Sequence, residues 1–419
     1  MQRILFYGFV FVLVFFNSGI AKIQKTVTAL ELYSFYSGVL QNSRIRVQKG
    51  DPAYLPAYRS LVQKADSLLT VGPFSVMDKS LVPNSGDKHD YMSFGPYWWP
   101  DPEKEDGLPY IRRDGEVNPE TRGSRSDYPS LRKMVSAVET LALAYFFSGK
   151  EIYARRAADL IRVFFLEKAT RMNPHLQYGQ AIPGRVDGRG IGIIETRRLV
   201  RCLNAIGLIA GSEHWTDADQ MGMVNWISAY LDWLITSENG IDESNEHNNH
   251  GTWYDVQVAS FALFVGRDSL ARVVIEQSKQ RRIASQIEPD GCQPHELSRT
   301  KSFGYSLMNL TGMFDLATIG EHLGIDLWNF ETADGRGIRK ALDFLAQEVQ
   351  GKAWNYEQIV PIGEYMVNPG DYSDLFTLFR RAELAYGDSL YGNILTEKKH
   401  KKIILHIANL LFRQLKNKE

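Results

Sequence analysis

Cysteine is almost missing: the 419 residues hold only Cys202 and Cys292. Two thiols cannot frame a chain of this length with disulfides, and neither has metal-ligand spacing to another cysteine, so both are expected to be plain core thiols. Charge of one sign is missing as well. Lys+Arg 48 against Asp+Glu 49 leaves a formal −1, which gives no global field for nucleic acid and confines any attraction for a polyanion to a local cleft. Long apolar runs are confined to the N-terminus. There Arg3 precedes a largely apolar stretch from Ile4 to Phe16, with small residues following at Gly19 and Ala21. That run is shorter than the roughly 20 residues that span a bilayer. Its layout is that of a signal peptide, residues 1–21, with no cysteine for lipid attachment. The expectation is an exported protein, periplasmic or secreted, without a membrane anchor.

Strand alternation is also absent, and no fixed repeat period is visible, which argues against sheets and consensus solenoids. What remains is helical. In Leu131 to Phe146 the apolar positions Leu131, Met134, Val135, Val138, Leu141, Ala142, Tyr145 and Phe146 recur mostly three and four apart, and Gly149 stops the run. The pattern returns over Glu151–Phe165, Ile194–Ile209, Ala218–Leu234, Trp253–Phe264, Leu270–Ile287, Tyr305–Leu323, Ile338–Val349, Asp374–Tyr386 and Lys398–Leu415. Helices that arrive in sequential pairs suggest antiparallel hairpins wound into a barrel or toroid. The fold class expected is all-α, an (α/α) toroid without a β-sandwich, in one domain over residues 22–419 and as a monomer.

Three long polar segments interrupt the helices: Asn84–Tyr128, Asn173–Arg189 and Asn355–Tyr372. Loops of such length in a folded domain are usually functional. They are rich in aromatics, including Tyr97, Trp98, Trp99, Tyr178 and Tyr372, whereas a disordered linker would be poor in them. Sugar rings stack their apolar faces on such side chains, so Tyr97, Trp98 and Trp99 are candidate subsite residues. Tyr178 and Gln180 are candidates to hydrogen-bond sugar hydroxyls. Arg198, with Arg185, Arg189 and Arg197, is a candidate partner for acidic groups.

Two stretches carry the candidate chemistry. The first, NEHNNHGTWYDVQ from Asn245 to Gln257, sets Asn248 and Asn249 between His247 and His250. Asn248 reads as the cap of a helix starting near Gly251, and His247 as either a loop stabiliser or a substrate contact. The second, Gly291 to Leu310, holds Glu296, Arg299 and Tyr305 at a loop-to-helix junction. A uronate polymer is cut by β-elimination when a base removes the C5 proton beside the carboxylate and an acid protonates the leaving O4. The carboxylate must be neutralised as negative charge builds on it. Asn249 and Arg299 are candidates for that post, and His250 and Tyr305 for carrying the protons. A hydrolase would need two carboxylates across the bond; Glu195, Asp242 and Asp255 do not form a convincing pair.

NNHGTWYD (Asn248–Asp255), ELSRTKSFGY (Glu296–Tyr305), YMSFGPYWWPDP (Tyr91–Pro102) and NPHLQYGQAIPGRVDGRGIGIIET (Asn173–Thr196) together resemble the alginate lyase superfamily. The details look closest to its secreted glucuronan and alginate lyases, polysaccharide lyase family 38. The resemblance implies an (α/α) toroid with an open groove, an anionic uronate polysaccharide as partner, no cofactor and no metal. It also implies a Tyr/His pair assisted by Asn and Arg, carried here by Tyr305, His250, Asn249 and Arg299. Stereochemistry leaves the base open. In mannuronate and glucuronate the C5 hydrogen and O4 share a ring face, so one tyrosine could take and return the proton. In guluronate they lie on opposite faces, which suits His250 as base. Tyr305 serves as acid in either case, and as base only if Arg299 lowers its pKa.

Overall fold

Local signals set most helix boundaries in this chain, which a computed structural model describes over residues 32–368, 373–387, 390–397 and 401–413. The proposed signal peptide and Tyr372 lie outside the described residues. Helices α1 (Ser37–Gln48) and α2 (Leu55–Leu68) come first, followed by a long loop with three short strands, β1 (Met92–Phe94), β2 (Trp98–Trp99) and β3 (Ile111–Arg112). Then come α3 (Tyr128–Ser148), α4 (Glu151–Ile161), β4 (Tyr178–Ala181), α5 (Leu199–Ile209), α6 (Asp217–Thr236), α7 (Glu238–Asn245) and α8 (Asn249–Phe264). After them follow α9 (Asp268–Ser278), α10 (Pro294–Leu297), α11 (Ser302–His322), α12 (Ile338–Val349), α13 (Leu375–Tyr386), α14 (Leu390–Glu397) and α15 (Ala408–Leu411).

The packing order closes on itself. Helix α3 contacts α5, α5 contacts α8, α8 contacts α11, α11 contacts α13, α13 contacts α15, and α15 returns through α2 to α3. Outside this ring α4 packs on α3, α6 and α9 on α8, α12 on α11, and α14 on α13. The fold is an all-α (α/α) toroid. Burial follows from this layering: α8 is buried continuously from Gly251 to Ala262, whereas α12 buries a single stripe, Ile338, Ala341, Leu342, Leu345, Ala346 and Val349. Hairpin turns use glycine where the backbone needs it. Gly149 ends α3 at φ 73° and accepts no Cβ penalty there, so α4 can start two residues later.

One close approach matters for the site. A Cβ on Gly312 of α11 would lie 2.9 Å from Thr252 Cγ2 of α8, so a side chain there would push apart the two helices that carry Asn249, His250 and Tyr305. The strands were not legible beforehand. Parallel β1–β4 and antiparallel β2–β3 are two-stranded and two to four residues long, too short to show alternation. The β1–β4 pair ties the first long loop to the second, and β2–β3 closes a ribbon within the first. Several helix boundaries also differ from expectation, with α4 and α9 passing into π turns at Arg162–Leu166 and Lys279–Ala284. Helix α8 starts at Asn249, earlier than Gly251, because Asn248 Oδ1 caps it by accepting from His250 N. Residues Gly190–Arg198 form a 3₁₀ stretch ahead of α5. The helix expected over Lys398–Leu415 is, among the described residues, a 3₁₀ turn at Lys401–Leu405 and the short α15. Cys202 is buried with its thiol pushed up to about 12 by desolvation. Cys292 is only partly buried, so the core expectation fails for it. No described helix is long and apolar enough to cross a membrane.

Candidate active site

Chain direction brings helix starts together. A cavity of about 180 Å³ is lined by Arg197 and Arg198 just before α5, Trp253 in the second turn of α8, and Gly304 and Met308 near the start of α11. Helix N-termini carry partial positive charge, and these converge with arginines. The mouth therefore favours an anion although the whole chain is nearly neutral. Asn249, His250, Arg299 and Tyr305 do not line this cavity; their two stretches meet instead at Glu296, which hydrogen-bonds Asn249 and feels the charges of His250 and Arg299.

Tyr305 is held by Tyr97 from the first long loop and by Arg299 from its own stretch. Its hydroxyl lies 2.7 Å from Tyr97 Oη and accepts from Arg299 Nη2 at 2.9 Å. The guanidinium also sits 4.0 Å from the Tyr305 ring centroid. Arg299 in turn is gripped by Asp114 through Nη2 at 2.8 Å and Nε at 3.2 Å. Burial works against the Asp114 carboxylate, but hydrogen bonds from Arg299 and Thr300 bring its pKa down to about 2. Burial, aided by Tyr97, holds Tyr305 well above the ordinary phenol range, with Arg299 opposing. The expected lowering by Arg299 therefore does not prevail, because desolvation of the buried phenol outweighs it. Arg299 thus pairs with Asp114 and not with Glu296, three residues before it.

Glu296 serves Asn249 instead. Asn249 is fully buried, its backbone N–H donates to Glu296 Oε1 at 2.6 Å, and its Nδ2 donates to Oε2 at 2.7 Å. Its Oδ1 is buried and has no protein partner. One amide N–H and the Oδ1 acceptor thus lack a protein partner inside this buried setting. His250 shares a 2.8 Å hydrogen bond through Nδ1 with Oε1 of the buried Glu243. Burial raises the pKa of both carboxylates, with His250 pulling Glu243 down and Asn249 pulling Glu296 down. Glu243, Glu296 and Asp114 were not picked out as site residues from sequence.

The other candidates divide. Trp98 and Trp99 occupy adjacent positions of β2, so their side chains leave on opposite faces. Trp98 lies under Arg185, 5.2 Å from its guanidinium, while Trp99 lies under Arg113 and donates to Glu116 O at 3.0 Å. Gln180 is buried at φ 50°, a left-handed conformation that glycine usually supplies, and its Oε1 accepts from Arg189 at 3.0 Å. Its carboxamide is thus engaged in holding Arg189, not displayed to a sugar hydroxyl as expected. Tyr178 opens β4 opposite Met92 and is half-buried. His247 is exposed, with its ring 4.5 Å from that of His295. Arg197 lies 5.9 Å from the Trp253 ring, and Arg198 lines the same cavity. The hydrolase candidates are occupied elsewhere: Glu195 accepts from Tyr91 and Ser93, and Asp255 pairs with Arg282.

A helical ring that sets a protonated phenol with its guanidinium, a carboxylate-backed imidazole and a buried amide around Glu296 has the parts of a polysaccharide lyase. The alginate lyase family model matches residues 75–354, and the chain belongs to that family. Among solved structures, an alginate lyase from Bacteroides ovatus is 39% identical, covers 92% of this chain and 100% of its own, and superposes with a TM-score of 0.86. A histidine-to-alanine variant of alginate lyase A1-III complexed with a tetrasaccharide shares the fold at 16% identity, covering 94% of this chain and 98% of its own, with a TM-score of 0.57. The A1-III structure from Sphingomonas species A1 is 17% identical over 87% of this chain and 97% of its own, with a TM-score of 0.47. No curated protein sequence matches the chain.

Proposed function

We propose that this protein cleaves 1,4-linked uronate polymers, alginate or glucuronan, by β-elimination at the mouth of the ring. The observation that carries this reading is the protonated Tyr305 hydroxyl, held between Arg299 and Tyr97. In the reaction a base takes the C5 proton, the C5–H electrons become the C4=C5 double bond, and the C4–O4 bond breaks with its electron pair on O4. Tyr305 gives O4 its proton. Arg299 and the free N–H of Asn249 counter the charge that accumulates on the uronate carboxylate, in a water-poor setting where such contacts act strongly. His250 is the base wherever the C5 hydrogen and O4 lie on opposite faces; Tyr305 could serve both steps only where they share a face. The 39% identity to an alginate lyase from Bacteroides ovatus supports alginate as one substrate. The ring, the cavity and the strand-bearing loops are read as one domain from residue 22 onward, exported on the N-terminal segment and acting as a monomer.

Elimination creates a conjugated double bond that absorbs in the ultraviolet, whereas hydrolysis and binding do not. Purified protein mixed with mannuronan, guluronan, glucuronan and neutral glucans should raise absorbance with uronans alone. Tyr305→Phe should abolish the rise, a loss of at least about 10²-fold, with the helical circular dichroism intact. Near-full activity in that variant would remove Tyr305 from the acid post.

A further inference from the structure

We propose that Glu243 is a positioning residue for His250: it holds the Nδ1 proton and so leaves Nε2 as the proton-accepting atom. The inference rests on the lyase reading above and extends it to a residue that never meets the substrate. Glu243 is fully buried on α7, yet His250 alone hydrogen-bonds its Oε1, and its Oε2 is buried without a partner. A carboxylate in that setting is costly to keep. It gains its return when the imidazole becomes charged. His250 is partly exposed, with its side chain at 15%, so the ring lies between the buried carboxylate and the open side. When Nε2 takes the C5 proton, the dyad passes from −1 to neutral while the substrate carboxylate gains one negative charge. Total charge is unchanged, and the new imidazolium is stabilised from behind.

Other charged or titratable groups also face the pair. Asp242 shares α7 with Glu243, Glu246 follows the last residue of α7, Arg189 precedes the 3₁₀ stretch, Tyr230 stands on α6, Tyr254 on α8, and Glu296 faces His250. None of them is hydrogen-bonded to the His250 ring among the described contacts. The orienting bond therefore belongs to Glu243. A carboxylate bound to Nδ1–H fixes one tautomer and makes Nε2 more basic.

Glu243→Gln keeps the size and an acceptor oxygen but removes the charge. On a guluronan, where the base and acid must sit on opposite faces, kcat should fall at least about tenfold with KM within twofold. The acid limb of its kcat/KM profile should move to lower pH, because an imidazole without its anion is easier to deprotonate. Glu243→Asp should recover part of the loss. An unchanged profile and kcat in Glu243→Gln, or a loss confined to KM, would overturn the assignment. If the Gln variant does not fold, nitrogen-15 spectra of the histidines in wild-type protein decide, with the His250 signal identified by its absence in His250→Ala. A proton on Nδ1 and none on Nε2 supports the inference, and the reverse tautomer sinks it. A wild type inactive on every uronan would instead fail the lyase reading itself. A wild type active on mannuronan but never on guluronan would leave that reading standing and overturn this one.

Discussion

The two halves of the site are built in opposite ways. The Tyr305 half is assembled across the chain: Tyr97 is 208 positions from Tyr305, and Asp114 is 185 from Arg299. The Asn249–His250 half is largely local, with Glu243 only seven residues before His250. Their electrostatics are opposed as well. Behind Tyr305 stands a guanidinium, with burial keeping the phenol protonated; behind His250 stands a buried carboxylate that fixes the ring through Nδ1. Environments that push two titratable groups toward opposite tasks are how a single cleft obtains both an acid and a base near neutral pH.

That comparison breaks most visibly if the neutralising amide is removed. Asn249→Ala should lower kcat by about 10²-fold while KM changes little, because the N–H acts on charge present mainly in the transition state. The same change strips Glu296 of a donor inside the core, which should destabilise the fold by about 1–3 kcal/mol and show as a lower Tm. A purely KM-type loss would move Asn249 from the charge-neutralising post to simple binding.

A smaller effect is expected from Tyr97→Phe. Tyr97 raises the pKa of Tyr305, so its loss should lower it. The protonated phenol would then be lost at a lower pH, and the alkaline limb of the kcat profile should move down, with the neutral-pH rate reduced less than about tenfold. An alkaline limb that stays in place would mean that another group sets it.

Smallest of all is the stability carried by Asp114. Its pKa is depressed to about 2, below an unfolded value of about 3.9. The contribution is present above the unfolded pKa and disappears as pH falls toward 2. Since the carboxylate is partly exposed, its size should stay below about 1 kcal/mol. Urea unfolding of Asp114→Asn should differ slightly from wild type at pH 6 and converge with it near pH 2.

Much of the framework was readable from spacing. The runs that became α3, α8, α11 and α12 are apolar on helical periods, and Asn248 was recognisable as a cap because capping is settled within a few residues. Other features had no local signature. The short strands carry too few residues to alternate. Gln180 at φ 50° gives no sign that its carboxamide is turned inward to Arg189. Glu296 and Arg299, only three residues apart, have the spacing of an ion pair, yet the tertiary arrangement gives the arginine to Asp114 and Glu296 to Asn249.

By itself, then, the amino-acid order specified helices, their pairing into hairpins, and which side chains could handle protons and charge, since all of these depend on neighbours within a few turns. Only the closed ring decided who partners whom. Hydrogen bonds and desolvation act over a few ångströms in space, and segments about two hundred residues apart reach that range only after the chain has folded.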